Sequence, residues 1–251
     1  MKRMKGFSVA SAVAIVVVVA LIGIAAWMVI DGNNKATDFS KYNFFSVIEA
    51  DKDNGGIGDH VKGNKDAQVL VFEYADYQCP GCASINPRVN KAIEESDGKL
   101  AVVYRSFLLS YHKNGTAAAS AAEAAGLQGY WKPYADKLFA SQEEWEGASA
   151  TERSEIFEQY FEEVSDGKGD MDKFREDMAS EAVSKKISFD MGVGRRVNVD
   201  STPAFYVEGQ PIKWSEAGSV TVNGETITWD EAQTGDDFVK LLKRIANAKS
   251  Q

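Results

Sequence analysis

The chain of 251 residues contains two cysteines, and both lie in Tyr77-Gln78-Cys79-Pro80-Gly81-Cys82. A two-residue spacer is the spacing of a redox-active dithiol. Residues 68–74 (QVLVFEY) form a near-continuous apolar run, as expected of a strand buried on both faces, and it leads directly into the motif. Residues 85–95 then have helical spacing. A strand that ends at a dithiol opening a helix puts the first sulfur at the helix N-terminus, where unpaired N–H groups and the helix dipole favour thiolate over thiol. Pro80 suits the first helical position because its missing N–H would have no partner there. This pattern predicts an exposed, low-pKa Cys79 as nucleophile and a buried Cys82, one turn further on, as the resolving partner.

Three other chemistries are open to the same residues. A zinc site needs two more ligands, and the two histidines, His60 and His112, are isolated from the dithiol and from each other in the sequence. A structural disulfide across two residues closes too small a loop to restrain the unfolded chain much. A copper carrier lacks a nearby Met or His. No metal is expected, and redox catalysis is the reading the spacing favours.

The elements that must position the dithiol follow in order. Residues 44–50 read as a first strand, residues 51–65 (DKDNGGIGDHVKGNK) as turn, and residues 100–107 (LAVVYRSF) as the strand after the active-site helix, which Pro87 should bend. Strand, helix, strand argues for a parallel pair and an α/β core. Residues 114–190 are rich in Ala, Glu, Lys and Gln with helical periodicity. They read as an inserted all-helical subdomain broken at Gly126, Gly147 and Gly167 to Gly169, with Tyr130, Trp131, Tyr134, Phe139 and Trp145 in its core. Residues 204–207 return to strand character. Residues 219–222 and 225–229 flank Asn223-Gly224, a strong hairpin signal, and residues 229–248 read as a closing amphipathic helix. Gly192-x-Gly194 follows a helix, so it is no nucleotide loop.

Lys and Arg number 28 against 37 Asp and Glu, and three of the basic residues, Lys2, Arg3 and Lys5, precede an uncharged run at 9–30. The body is acidic, which argues against nucleic-acid binding. The run is long enough to cross a bilayer as one helix. The flanking charges place residues 1–8 in the cytoplasm and the rest outside it, with residues 31–43 as a tether and 44–251 as the folded domain. A cleaved signal peptide ending near Ala25-Ala26 is the competing reading. No cysteine follows the run, so there is no lipid anchor at its end.

Three segments together resemble the DsbA family of thiol-disulfide oxidoreductases, from about Ile57 to Leu242. HVKGNKDAQVLVFEYADYQCPGC is similar to that family's entry strand and active-site helix. YRSFLLSYHKNGTAAASAAEAA is similar to the next strand and first inserted helix, and VNVDSTPAFYVEGQPI to the segment with the cis-proline loop. The resemblance implies a thioredoxin-like α/β fold with an inserted helical subdomain. It implies Cys79 and Cys82 as the active pair, and Pro203 as a cis proline facing it. The backbone of Thr202 would pair with an extended substrate strand, and Glu73 would be a buried acid assisting proton transfer at the resolving cysteine. Pro80 and Gly81 form the spacer that tunes the thiolate, and Gly81 departs from the histidine of the best-known strong oxidants. The hairpin at Asn223-Gly224 looks like an addition to the family core. His112 reads as a structural loop residue, and Asp76 and Tyr77 as groove-lining or solvated turn residues.

The expected protein is thus a monomeric, membrane-anchored extracytoplasmic oxidase of secreted or membrane proteins. It would need no cofactor and would be reoxidised by a quinone-linked membrane partner of the DsbB or vitamin K epoxide reductase kind. A disulfide reductase or isomerase, including one serving cytochrome maturation, and a binding or chaperone module with an incidental dithiol are the alternatives.

Overall fold

A computed structural model describes residues 37–213, 216–230 and 235–248. The chain divides into two compact units, residues 1–39 and 40–251; everything below concerns the second. The membrane segment expected at 9–30, with the basic residues before it, lies outside the described residues. Among the described residues no helix is long and apolar enough to cross a membrane.

The fold is built on a five-stranded sheet of β1 (His60–Gly63), β2 (Val69–Ala75), β3 (Leu100–Ser106), β4 (Ala204–Val207) and β5 (Gln210–Pro211). Their spatial order is β1-β3-β2-β4-β5. β2 is central. It runs parallel to β3, with Val69 opposite Leu100 and Ala75 opposite Ser106, as the crossover through α1 (Pro80–Glu94) requires. β4 returns antiparallel on its other side, Tyr74 opposite Ala204, and β1 closes the far edge antiparallel to β3.

Between β3 and β4 lie only helices: α2 (Gly115–Leu127), α3 (Trp131–Ala140), α4 (Gln142–Trp145), α5 (Ala150–Ser165), α6 (Met171–Met178) and α7 (Glu181–Arg196). Trp131, Tyr134, Phe139 and Trp145 are buried there, in one cluster with Tyr77, Cys79 and Cys82, and Tyr130 packs against it. A second cluster joins α1, the lower halves of β2 to β4 and α8 (Gly235–Ala246). The hairpin of β6 (Gly218–Val222) and β7 (Glu225–Trp229) adds Val220, Val222 and Ile227 to that cluster. Asn223 and Gly224 both have positive φ, 51° and 79°, which is the turn that Asn-Gly specifies between two strands. The added hairpin is therefore a lid on the β4 and α8 core.

Four sequence expectations need correcting. Residues 44–50 form no strand: 44–46 are turn and bend, and side chains take backbone groups of the segment, Arg105 donating to the Phe44 and Ser46 carbonyls at 2.6 and 3.0 Å and the Ile48 amide donating to Asp59 at 2.9 Å. The edge strand is instead β1, inside the segment read as turn. Trp229 belongs to β7 and not to the closing helix, which is described over Gly235–Ala246. Gly126 does not break its helix but lies inside α2, where a Cβ would come 3.0 Å from His60 Cε1 and 3.2 Å from Trp131 Cβ. Pro87, by contrast, lies within α1 and does not end it, as expected.

Gly194 acts as a packing glycine. A Cβ there would meet Phe107 Cδ2 at 2.5 Å and Tyr74 Cδ1 at 3.3 Å, so α7 approaches the sheet more closely than alanine allows. Gly194→Ala is expected to lower stability by about 1–3 kcal/mol through overpacking. The check is a urea denaturation midpoint that falls while the slope stays constant; an unchanged midpoint would mean that Phe107 gives way freely.

Candidate active site

The dithiol sits where β2 runs into α1. Cys79 is the N-cap residue, with extended backbone (φ −78°, ψ 120°), and Pro80 occupies the first turn. The Cys79 amide donates to the Asp76 carbonyl at 3.0 Å, and its own carbonyl accepts from the Ala83 amide at 3.1 Å. Both ends of the turn are thereby fixed. Both cysteines are free thiols.

The second wall comes from far along the chain. The Thr202–Pro203 peptide is cis, in the loop just before β4, and the Cys79 thiol donates to the Thr202 carbonyl at 3.3 Å. Gly81 lies under the same loop: a Cβ there would stand 3.2 Å from Pro203 Cδ and 3.7 Å from Cys79 Sγ. The spacer glycine thus leaves the proline room to approach the sulfur, and any side chain there would press on both. Cys79 is only 7% exposed, against 0% for Cys82. The expectation of an exposed Cys79 is corrected to that extent, because the Thr202-Pro203 loop lies over it, while the order of accessibility is as expected.

The two sulfurs are electrostatically opposite. The Cys79 pKa falls from 9.0 to about 5. The largest cause is hydrogen bonding from Cys82. Burial works against the fall, and Thr202 and the amides of Cys82 and Gly81 reinforce it. Cys82 is pushed well above its ordinary value, first by burial and then by Cys79. One turn of helix therefore holds a thiolate and a thiol side by side, each stabilising the other's state.

Glu73, six residues before Cys79, is fully buried on β2. Burial raises its pKa, and Lys62, the nearest cation, acts against that. The Lys62 Nζ stands 3.7 Å from Glu73 Oε2 and donates instead to Asn86 Oδ1 at 2.5 Å. Asn86 and Asn90 in turn donate to Asp136 Oδ1, both at 2.9 Å. Neither Glu73 oxygen has a hydrogen-bond partner. A buried acid with a raised pKa and unspent acceptors can take and return a proton.

Sequence reasoning missed Lys62, Asn86 and Asp136. Lys62 carried no signal, standing in a segment dense in turn formers, and no periodicity links residues on three separate elements. Asp76 and Tyr77 also need correcting, since both are buried. The Asp76 carboxylate accepts from the Gln78 and Leu109 amides and meets His112 Nδ1, each at 2.9 Å. It ties the dithiol turn to the loop after β3, and His112 is part of that tie. The Tyr77 ring packs against Tyr104 and Phe139, with centroids 5.3 and 4.9 Å away. Among the described residues no cluster of His, Cys, Asp or Glu could hold a metal ion.

Comparison with known proteins places this geometry. The Thioredoxin family matches residues 56–244. Alpha-DsbA1 of Wolbachia pipientis superposes with a TM-score of 0.55 at 19% identity, covering 75% of this chain and 90% of its own. A thioredoxin-like oxidoreductase from Silicibacter pomeroyi DSS-3 superposes at 0.54 with 22% identity, covering 76% and 94%. A curated relative from Salinispora tropica, named Na(+)/H(+) antiporter NhaA 3, is 33% identical over 153 residues, which are 61% of this chain and 22% of that protein. The chain therefore spans about a quarter of the length of the curated relatives it matches. With its central β2, a helical insertion between β3 and β4, and a cysteine pair at the head of α1, the chain belongs to the thioredoxin family.

Proposed function

We propose that this chain is a membrane-anchored extracytoplasmic oxidase that introduces disulfides into secreted or membrane proteins. The observation that carries the reading is the asymmetry of the dithiol, with Cys79 drawn down to about 5 and Cys82 pushed up. At neutral pH a thiolate of that pKa stabilises the reduced enzyme by about 2–3 kcal/mol relative to an ordinary thiol, equivalent to about 60 mV for a two-electron couple. A site that prefers to be reduced oxidises its clients.

In the cycle, a client thiolate attacks Cys79 Sγ of the oxidised pair. The Cys79–Cys82 bond breaks, and Cys82 leaves with the electron pair and takes a proton. A second client thiolate then attacks the client sulfur of the mixed disulfide, and Cys79 leaves as the stabilised thiolate. The client is oxidised by two electrons and the enzyme reduced by two. Thr202, beside the cis Pro203 and within reach of Cys79, offers backbone groups to an extended client segment. Glu73 serves proton transfer at Cys82, and Pro80 and Gly81 set the turn and its clearance.

The apolar run at 9–30, preceded by Lys2, Arg3 and Lys5, supports the anchor and its orientation. Reoxidation falls to a quinone-linked membrane partner of the DsbB or vitamin K epoxide reductase type, and the enzyme works as a monomer without a bound cofactor.

The reduction potential against glutathione is expected to be more oxidising than about −200 mV, and a value near the −270 mV of thioredoxin would replace the oxidase with a reductase. Its pH dependence follows from the two sulfurs. The thiolate stabilisation of the folded reduced form is complete above the ordinary Cys79 value of 9.0 and is lost as pH falls through about 5. The potential should therefore drop by about 60 mV per pH unit below pH 5, where two protons accompany two electrons, and by about 30 mV above it, where one does.

Cys82→Ala removes the largest cause of the low Cys79 pKa. Titration of the thiolate absorbance should then show a midpoint well above about 5. The same variant should trap clients and the reoxidising partner as mixed disulfides through Cys79, and complete absence of such adducts would overturn the redox reading.

A further inference from the structure

On the face of the sheet that carries the dithiol, three titratable side chains form one lateral row. Glu73 of β2 stands opposite Tyr104 of β3, and Tyr104 stands opposite His60 of β1. Partners in register share a face and neighbouring strands are about 4.8 Å apart. The row thus leads from the buried acid to β1, the outermost strand.

At the inner end both Glu73 oxygens are buried without a hydrogen-bond partner. In the middle the Tyr77 hydroxyl and Trp131 Nε1 are buried with no close hydrogen bond; the Tyr104 hydroxyl makes a long bond of 3.5 Å to the Ala75 carbonyl, and the Tyr77 hydroxyl interacts loosely with the Tyr104 hydroxyl and the Trp131 indole. These groups are neighbours: the Tyr104 ring lies 5.3 Å from both the Tyr77 and the Trp131 ring, and Glu123 and Glu73 both act on the Tyr77 hydroxyl. At the outer end His60 Nε2 is 2.7 Å from Glu123 Oε2, and its ring is stacked on Trp131, centroids 4.3 Å apart at 4°. The His60 side chain is 15% exposed and that of Glu123 is 2% exposed. Gly126 is what lets α2 close over this imidazole.

Buried polar atoms are ordinarily paired because leaving them unpaired is costly. A run of them between a redox thiol and the sheet edge points to proton traffic. We propose that this row is the proton path of the dithiol, with the His60–Glu123 pair as its port to solvent. The proposal rests on the dithiol exchange described above and adds the route. When the Cys79–Cys82 bond breaks, Cys82 leaves as a buried thiolate and Glu73 gives it a proton. Glu73 recovers a proton along the Tyr104 and Tyr77 hydroxyls, with internal water as carrier between them, and His60 draws the replacement from solvent. Reoxidation runs the transfer outward, and no electron crosses the row. The charged groups facing the row are Lys62 of β1 and Asp136 of α3 at the Glu73 end, and Glu123 of α2 with Lys186 of α7 behind it at the His60 end.

The test is stopped-flow reduction of the oxidised full chain by dithiothreitol between about pH 5 and 8. His60→Ala is expected to slow it roughly tenfold or more, the scale of a lost proton-transfer group, and added imidazole should restore the rate. Glu123→Gln, close in volume, and Tyr104→Phe should slow it too, without rescue by imidazole. The Cys79 titration should stay at its parent midpoint in all three. Parent rates and a parent pH profile in the three variants would overturn the path, and so would a loss in His60→Ala that imidazole leaves unrepaired. Failure of the exchange reading itself would look different, since Cys82→Ala would then trap no mixed disulfide.

Discussion

The structure depends on keeping a negative sulfur and a neutral one within a single helical turn. A thiolate in a nearly buried position is costly unless donors converge on it. Here the donors are the Cys82 thiol and the first free amides of α1, and all of them exist only because the helix begins where it does. Asp76 fixes that beginning. Its carbonyl accepts from the Cys79 amide and its carboxylate from the Gln78 amide, so the last residue before the turn holds the cap in register. The same carboxylate reaches the Leu109 amide and His112, and Gly115 leaves space for it, since a Cβ there would lie 2.7 Å from Asp76 Oδ1. The insertion is thereby tied to the dithiol at its first helix.

The cis Thr202–Pro203 peptide supplies the remaining wall, and the sheet explains why a segment so distant can do so. β4 pairs with β2 up to Tyr74 opposite Ala204, so the residue just before β4 must arrive beside the end of β2, where Cys79 is. The insertion can be as long as it is because both of its ends are clamped, at β3 and β4, to the same central strand. Gly81 then acquires a physical role: it is the clearance between α1 and Pro203. Replacing it by a larger residue changes the distance of the proline from the sulfur as well as the chemistry of the spacer.

Much of this was legible in the sequence. The central strand, the helix after the dithiol, the parallel β3, the helical run and the Asn223-Gly224 hairpin each carry a local signal, of apolar run, periodicity or turn chemistry. The positions of Cys79 and Cys82 at the head of α1 and of the cis Pro203 beside them were readable from spacing and resemblance together. What escaped reading is what depends on pairs remote in sequence. β1 is short, half-exposed and set among glycines and charges, so only its pairing with β3 makes it a strand. Residues 44–50 look like a strand because they are apolar, yet the Phe44 and Ser46 carbonyls belong to Arg105. Asp76 reads equally as a groove-lining or a solvated turn residue, and nothing nearby reveals its three partners.

Buried charge lies on both faces of the sheet, and the two faces treat it differently. Tyr104 and Arg105 are adjacent on β3 and so point to opposite sides. Arg105 donates to Asp59, to the Tyr74 hydroxyl and to the Phe44 and Ser46 carbonyls. Asp59 is also 3.4 Å from Lys186, which binds Asp190 at 2.7 Å, and Asp190 accepts from the Ser106 amide. Every charge in that network is answered. Such a network contributes little net stability over an apolar core, but it forbids alternatives, since removing any member strands another; it fixes α7 and residues 44–50 against β3. On the face with the dithiol, Lys62 meets Glu73 only at 3.7 Å, neither Glu73 oxygen takes a close hydrogen bond, and the phenol and indole groups interact loosely with one another. A fold able to satisfy its charges so fully on one side has no structural reason to leave them unsatisfied on the other. The difference fits the proton-transfer role proposed for Glu73: a fully bonded carboxylate would hold its proton state fixed, whereas an underbonded one can change it.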